Sequence, residues 1–256
     1  LLGLGVYDMY KAEAEQTVED ALALGYRLID TASMYENEVE IGNAIKNAGL
    51  DRKEIFLTTK LNNTDHGYEA ALKAFDDSLK KLGQDYVDLY LIHWPIKEGR
   101  AASWKGLEKL YAEKRVKAIG VANYNITLLE ELKLTANIVP TVNQIEFSPW
   151  LYQEDLLAYC KAAGIQVQSY SPITRGLKFS DERLVLICNK YNRTPAQIVL
   201  NWHLQHGIST IPKSSKKERL VENFDATSFT LSNEDVKIMN GFNENFRICD
   251  DPQTYL

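Results

Sequence analysis

The sequence predicts an α/β protein built as a single (β/α)8 TIM barrel, and three observations carry that prediction. Short β-type runs alternate with amphipathic helical stretches along the whole chain, the order that parallel strands joined by helical crossovers require. Eight such strand-then-helix units fit into 256 residues, close to the roughly 250 of one closed barrel. The phosphate-binding turn that an open doubly wound sheet needs after its first strand is missing, because the GxGxxG start at Gly3-Leu4-Gly5 meets Asp8 where the third glycine belongs.

The elements follow in order. A strand at 2–6 leads to a helix at 15–24, whose apolar residues recur at helical spacing and which Gly25 stops. The next units pair a strand at 27–30 with a helix at 37–48, and a strand at 55–60 with a helix at 68–82, which Gly83 stops. Strands at 87–93, 116–121 and 142–146 precede helices at 104–113, 127–134 and 153–163, the last ended by Gly164. The strand at 166–170 is answered by a helix at 195–205, which opens on Thr194-Pro195 as N-cap and first-turn proline and closes at Gly207. A strand at 209–212 and a helix at 217–223 complete the eight. Two further helices, 181–191 and 233–240, stand outside the count. No linker, low-complexity tract or repeat divides the chain, so residues 1–256 read as one domain.

Composition narrows the function. With 45% hydrophobic and 25% charged residues, and a mean hydropathy of -0.30, the chain can bury a core and is not a disordered type. Lys and Arg number 29 against 35 Asp and Glu, a net charge of -6 that argues against a general nucleic-acid binder. No apolar run reaches the roughly 18 residues of a membrane span. Cys160, Cys188 and Cys249 are odd in number and far apart, giving neither a disulfide framework nor a metal pair and suiting a reducing, cytoplasmic setting. No metal is expected: His203 and His206 lie three apart on a helix but have no acidic or Cys partner at ligand spacing, and read as helix-surface histidines. The default expectation is a monomer acting on a small molecule.

In a barrel, chemistry sits at the C-terminal ends of the strands. Asp30 closes the second strand, Lys60 the third and His93 the fourth, and Tyr35 follows Asp30 by five residues. Any one of these alone reads more readily as a solvated loop residue, but four that converge do not. A tyrosine hydroxyl, with a pKa of about 10, donates a proton poorly at neutral pH unless a cation stabilises the phenolate. Lys60 can be that cation, Asp30 its counter-ion, and His93 a donor to a carbonyl oxygen as negative charge builds there. The set suits protonation of a carbonyl whose carbon receives hydride. Motifs for other chemistries (GxSxG, HExxH, the Walker lysine) are absent, and the YxxxK match from Tyr7 to Lys11 has no nucleotide-binding unit before it.

The segments around these residues resemble the aldo-keto reductases over essentially the whole chain. Gly25-Tyr-Arg-Leu-Ile-Asp30-Thr31-Ala32, with Tyr35 and Asn37-Glu38, is similar to that family's GYRHIDTA-x-x-Y-x-NE signature. Thr58-Thr-Lys60-Leu61, Asp88-Leu-Tyr-Leu-Ile-His93-Trp94-Pro95, Ile119-Gly-Val-Ala-Asn123-Tyr124 and Val142-Asn-Gln144-Ile-Glu146 follow in family order. The resemblance implies Asp30, Tyr35, Lys60 and His93 as catalytic tetrad, with Tyr35 the proton donor, Lys60 and Asp30 lowering its pKa, and His93 orienting the carbonyl. It implies NADPH as cofactor, its carboxamide on Asn123 and Gln144 and its nicotinamide stacked on Tyr170, with Gly5, Val6, Tyr7, Asp30, Ser171 and Ile173 around it. The adenosine end falls to Pro212, Lys213, Ser214, Ser215, Arg219, Glu222 and Asn223, where Lys213 and Arg219 can pair with a 2′-phosphate.

Tyr7, Tyr35, His93, Trp94 and Tyr124 then line the substrate mouth, closed on one side by the stretch after Phe246. Two positions depart from the family pattern. Ala122 replaces a serine before Asn123, and Asn62 stands near where many members place a tryptophan. The short stretches at 95–104 and 172–179 resemble compact-loop microbial and fungal members, which implies NADPH-dependent reduction of an aldehyde or ketone to the alcohol. The alternatives are a redox-sensor subunit that binds NADPH and acts through a protein partner, and an aldolase using Lys60 as Schiff-base amine, which Asp30 disfavours by raising the lysine's pKa.

Overall fold

The computed structural model describes residues 1–255. Eight strands, β1 (Leu4–Gly5), β2 (Leu28–Asp30), β3 (Phe56–Leu61), β4 (Val87–Ile92), β5 (Val116–Ala122), β6 (Val142–Glu146), β7 (Gln166–Tyr170) and β8 (Ser209–Thr210), form one sheet in sequence order. Each neighbouring pair is parallel. The first and last strands meet: Gly3 N–H donates to Thr210 O (2.9 Å), Thr210 N–H to Leu1 O (2.9 Å) and Gly5 N–H to Pro212 O (3.2 Å). These bonds close the sheet into a barrel and leave it no open edge.

The crossovers are α1 (Lys11–Leu24), α2 (Glu38–Asn47), α3 (Tyr68–Leu82), α4 (Arg100–Ala112), α5 (Ile126–Lys133), α6 (Glu154–Ala162), α8 (Pro195–Gln205) and α9 (Lys217–Phe224); α7 (Glu182–Tyr191) and α10 (Asn233–Asn240) are the two extra helices. All four glycines expected to stop helices have positive φ, and Thr194 with Gln197 forms a complete capping box at the start of α8. None of the helices is long and apolar enough to cross a membrane among the described residues.

Register decides what the barrel encloses. Lys60 lies beside Leu91 and Leu91 beside Gly120, while Ala122, Gln144, Gln168 and Ser209 follow one another across β5 to β8. Residues in register on parallel strands point to the same face. The interior therefore holds a small apolar plug, Leu89, Leu91, Ala122 and Val142, beneath a polar layer at the strand ends. The larger core lies between strands and helices. Gly120 is required by this packing, since a Cβ there would stand 2.5 Å from Val142 O and 2.8 Å from the Leu91 side chain.

Two expectations are corrected here. The end strands are two residues long rather than 2–6 and 209–212, because Pro212 has no N–H to continue the ladder and Leu2 makes only an isolated bridge to Thr210. His203 is not a surface histidine: it is fully buried, with Nδ1 2.8 Å from Val199 O and Nε2 3.0 Å from Phe147 O. Residues 196–203 of α8 are all buried, and the His203 ring packs edge-on against Phe147, just beyond β6.

Candidate active site

The C-terminal strand ends bring Asp30, Lys60, Tyr35 and His93 together. Lys60 is fully buried, and its ammonium donates to Asp30 Oδ1 (2.5 Å), Thr31 O (2.8 Å) and Tyr35 Oη (3.4 Å). Three donors thus meet three acceptors. The second Asp30 oxygen accepts from Gln144 Nε2 (2.6 Å), which also reaches Gln168 Oε1 (2.7 Å), and Gln168 Nε2 donates to Ser209 Oγ (3.2 Å). A polar chain consequently crosses the barrel from β3 to β8 and fixes the Asp30 carboxylate from both sides.

Tyr35 sits on a single 3-10 turn, Ser33–Tyr35, and local bonds aim it. Ser33 Oγ donates to Lys60 O (2.9 Å), Thr31 Oγ1 to Asn37 Oδ1 (2.7 Å), and Asn37 Nδ2 to Val6 O (2.9 Å) and Met9 O (3.0 Å). Glu38 accepts from Thr59 Oγ1 (2.6 Å) behind β3. The Asn-Glu pair of the motif is therefore scaffolding that ties this loop to two strands. His93 stands with its ring 5.5 Å from that of Tyr35, edge to face, its backbone carbonyl accepts from Asn123 Nδ2 (2.9 Å), and its Nδ1 is buried without a partner among the described residues.

Burial dominates the electrostatics. It raises the Asp30 carboxyl and lowers the Lys60 ammonium, and in both cases the contact between them works the other way. Burial, helped by the positive charge of Lys60, holds the His93 imidazolium well below the usual histidine range, so the ring is neutral. Tyr35 is pushed well above 10 by burial and then by the Asp30 carboxylate. In the resting site burial outweighs the neighbouring Lys60 ammonium, and the phenol keeps its proton.

The other predicted residues divide. Tyr7 is exposed and packs edge-on against Tyr35 at 5.2 Å, and Trp94, half-buried beside His93, lies 5.3 Å from the Tyr255 ring. Tyr124 does not reach the mouth. Asn123 takes φ +64°, which breaks the strand alternation, and Tyr124 turns outward to line a half-open cavity of about 120 Å³ with Arg100, Leu128 and Leu134.

Several predicted cofactor positions are already engaged. Asn123 Oδ1 accepts from Tyr170 Oη (2.8 Å). Gly5 and Val6 are buried with their N–H groups spent on Pro212 O and Asp30 O, so they shape the floor beneath Tyr7. Tyr170 is half-buried at the end of β7, and Ser171 (φ +48°) and Ile173 follow it, partly exposed. Lys213 and Arg219 are exposed on either side of the start of α9, with Ser215 and Glu222 partly exposed and Pro212, Ser214 and Asn223 buried. A half-buried ring beside the tetrad and two exposed cationic heads at a helix start fit a phosphorylated dinucleotide.

The sequence reading missed Gln168, although the alternation Gln166, Gln168, Tyr170 signalled an inward polar face. It also missed Glu146, whose carboxylate accepts from Ile248 N–H (2.6 Å) and Cys249 N–H (3.0 Å).

Comparison with known proteins agrees with this geometry. The profile described as "Aldo/keto reductase family" matches residues 2–244. The chain is 46% identical over 255 residues to a glyoxal reductase of Bacillus subtilis (strain 168), covering 99% of this chain and 92% of the relative. The crystal structure of an aldo-keto reductase from a Medee basin deep-sea metagenome library superposes with a TM-score of 0.95 at 44% identity, covering 98% of this chain and 93% of that one. A Gox0644 variant solved in complex with NADPH gives 0.94 at 39% identity, covering 99% and 93%. With its closed barrel, its strand-end site and a profile match over nearly its whole length, the chain belongs to the aldo/keto reductase family.

Proposed function

We propose that this protein reduces a small aldehyde or α-oxoaldehyde to the alcohol, with Tyr35 as proton donor. The class is that of an NADPH-dependent oxidoreductase, and NADPH supplies the hydride when bound. One observation carries the reading: a protonated Tyr35 hydroxyl stands 3.4 Å from a buried ammonium and next to a neutral His93 ring. Neutral imidazole can donate to a carbonyl oxygen, and the phenol can pass its proton to that oxygen as hydride reaches the carbon. Once the proton has left, Lys60 is the cation that faces the phenolate. Asn123, Gln144 and Tyr170 would hold the nicotinamide end, and Lys213 and Arg219 the 2′-phosphate. The small-substrate preference rests on the mouth that Tyr7, Tyr35, His93 and Trp94 form and on similarity to a glyoxal reductase. We further propose that it works as a monomer in a reducing cytoplasm, where Cys160, Cys188 and Cys249 stay free thiols.

The test is NADPH consumption by the purified protein against a panel of α-oxoaldehydes, simple aldehydes and ketoses, with NADH as control. Turnover confined to NADPH and fastest with small α-oxoaldehydes is expected. Tight NADPH binding without turnover of any carbonyl would overturn the reading.

A further inference from the structure

The segment after α10 crosses the barrel mouth, and two side chains that the reaction does not use fasten it there. Glu146, at the end of β6 and two residues beyond Gln144 on the same inner face, is buried and spends its two oxygens on Ile248 N–H and Cys249 N–H.

Arg100, the first residue of α4, is buried too. Its Nη1 donates to Pro95 O (3.0 Å) and Tyr255 O (2.8 Å), its Nε to Glu131 Oε1 (2.8 Å), and its Nη2 to the other Glu131 oxygen. One guanidinium thereby joins the loop after β4, the crossing segment and α5. Pro95 follows Trp94 directly, and the Tyr255 ring lies on Trp94. A cation in the first turn of a helix opposes the helix dipole, and its burial is tolerated only with full pairing. The helix gains nothing from Arg100; the mouth does.

We propose that Arg100 and Glu146 are positioning residues for substrate selectivity, holding the crossing segment so that Tyr255 on Trp94, and the 248–249 backbone on Glu146, wall the site closely around small carbonyls. The inference rests on the carbonyl-reductase reading above. A fixed wall favours a small substrate through its binding contacts, so its loss appears in KM more than in kcat. A bulky aldehyde gains room as the wall loosens.

The experiment measures kcat and KM for glyoxal and for an aromatic aldehyde, together with NADPH affinity and Tm. Arg100→Met and Glu146→Gln are each expected to raise KM for glyoxal about tenfold, with kcat changed less than about threefold, while kcat/KM for the aromatic aldehyde holds or rises. Arg100→Met should leave NADPH affinity unchanged. Tyr255→Ala reads the same wall without disturbing a buried ion pair, and Arg100→Met/Tyr255→Ala should be no worse than Arg100→Met alone, the mark of coupled residues. Arg193→Met, which breaks the Arg193–Asp225 pair between the start of α8 and the end of α9, should lower Tm and leave selectivity alone. The proposal is overturned if Arg100→Met, Glu146→Gln and Tyr255→Ala lower Tm but leave the substrate ratio at the parent value, or if the two single effects multiply. Absence of carbonyl turnover in the parent protein would overturn the functional reading itself, and this inference with it.

Discussion

Lys60 has no hydrogen to spare: Asp30, Thr31 and Tyr35 take all three. Its charge is balanced by Asp30 at 2.5 Å, and the neighbouring phenol, buried and beside that carboxylate, stays protonated until chemistry demands otherwise. Tyr35→Phe removes the only hydroxyl on that ammonium and leaves the ring packing on Tyr7 and His93 in place. It should lower kcat by about a thousandfold, within the usual 10²–10⁴ range of a general acid, with NADPH affinity unchanged by fluorescence titration. Lys60→Met leaves a buried carboxylate with only Gln144, and should destabilise the fold by about 3–5 kcal/mol in urea titration. Asp30, Lys60 and His93 were legible because each stands at or beside the C-terminal end of a strand, and Tyr35 because it follows Asp30 in the adjoining turn. Tyr124 was misread because the left-handed Asn123 reverses the alternation, and nothing in an Asn-Tyr pair announces a φ of +64°. His203 was misread because the residue that meets its outer nitrogen, Phe147, lies 56 residues away in the chain.

At the scale of elements, the two helix starts expected about one turn too late, those of α1 and α4, are both without a side-chain cap. Thr194 caps α8 through Gln197 N–H, and Gln197 returns the bond to Thr194 N–H. Thr194→Ala should therefore cost about 1 kcal/mol, seen as a lower Tm with unchanged kcat. Helix α4 was expected from 104 and begins at Arg100, after Gly99 at φ +92° with no side-chain cap. Its first turn is specified by tertiary bonds of Arg100, which local sequence does not display. The central strands were legible from their apolar runs. The end strands were not, because their pairing depends on closure between the two ends of the barrel.

The whole molecule should be sensitive to acid. Burial lowers His203 to about 4, although both ring nitrogens face backbone carbonyls. The unfolded chain binds this proton near pH 6.5 and the folded one only near pH 4, so the contribution is complete above 6.5 and is lost as pH falls toward 4. Over that interval it amounts to about 3 kcal/mol. The drop in unfolding free energy between pH 7 and 4 should be smaller by about that amount in His203→Gln, measured by urea titration at each pH.

The closure of the barrel has a consequence for how the chain is made. The bonds that seal it join Gly3 to Thr210, partners about two hundred residues apart, and contacts of such separation are slow to form. During synthesis β1 emerges before the other seven strands, yet one of its two edges has no partner until β8 has left the ribosome. For most of that time the nascent sheet carries unpaired edges that invite pairing with other chains. The same seal that removes every edge from the finished protein makes the unfinished one a candidate for chaperone binding.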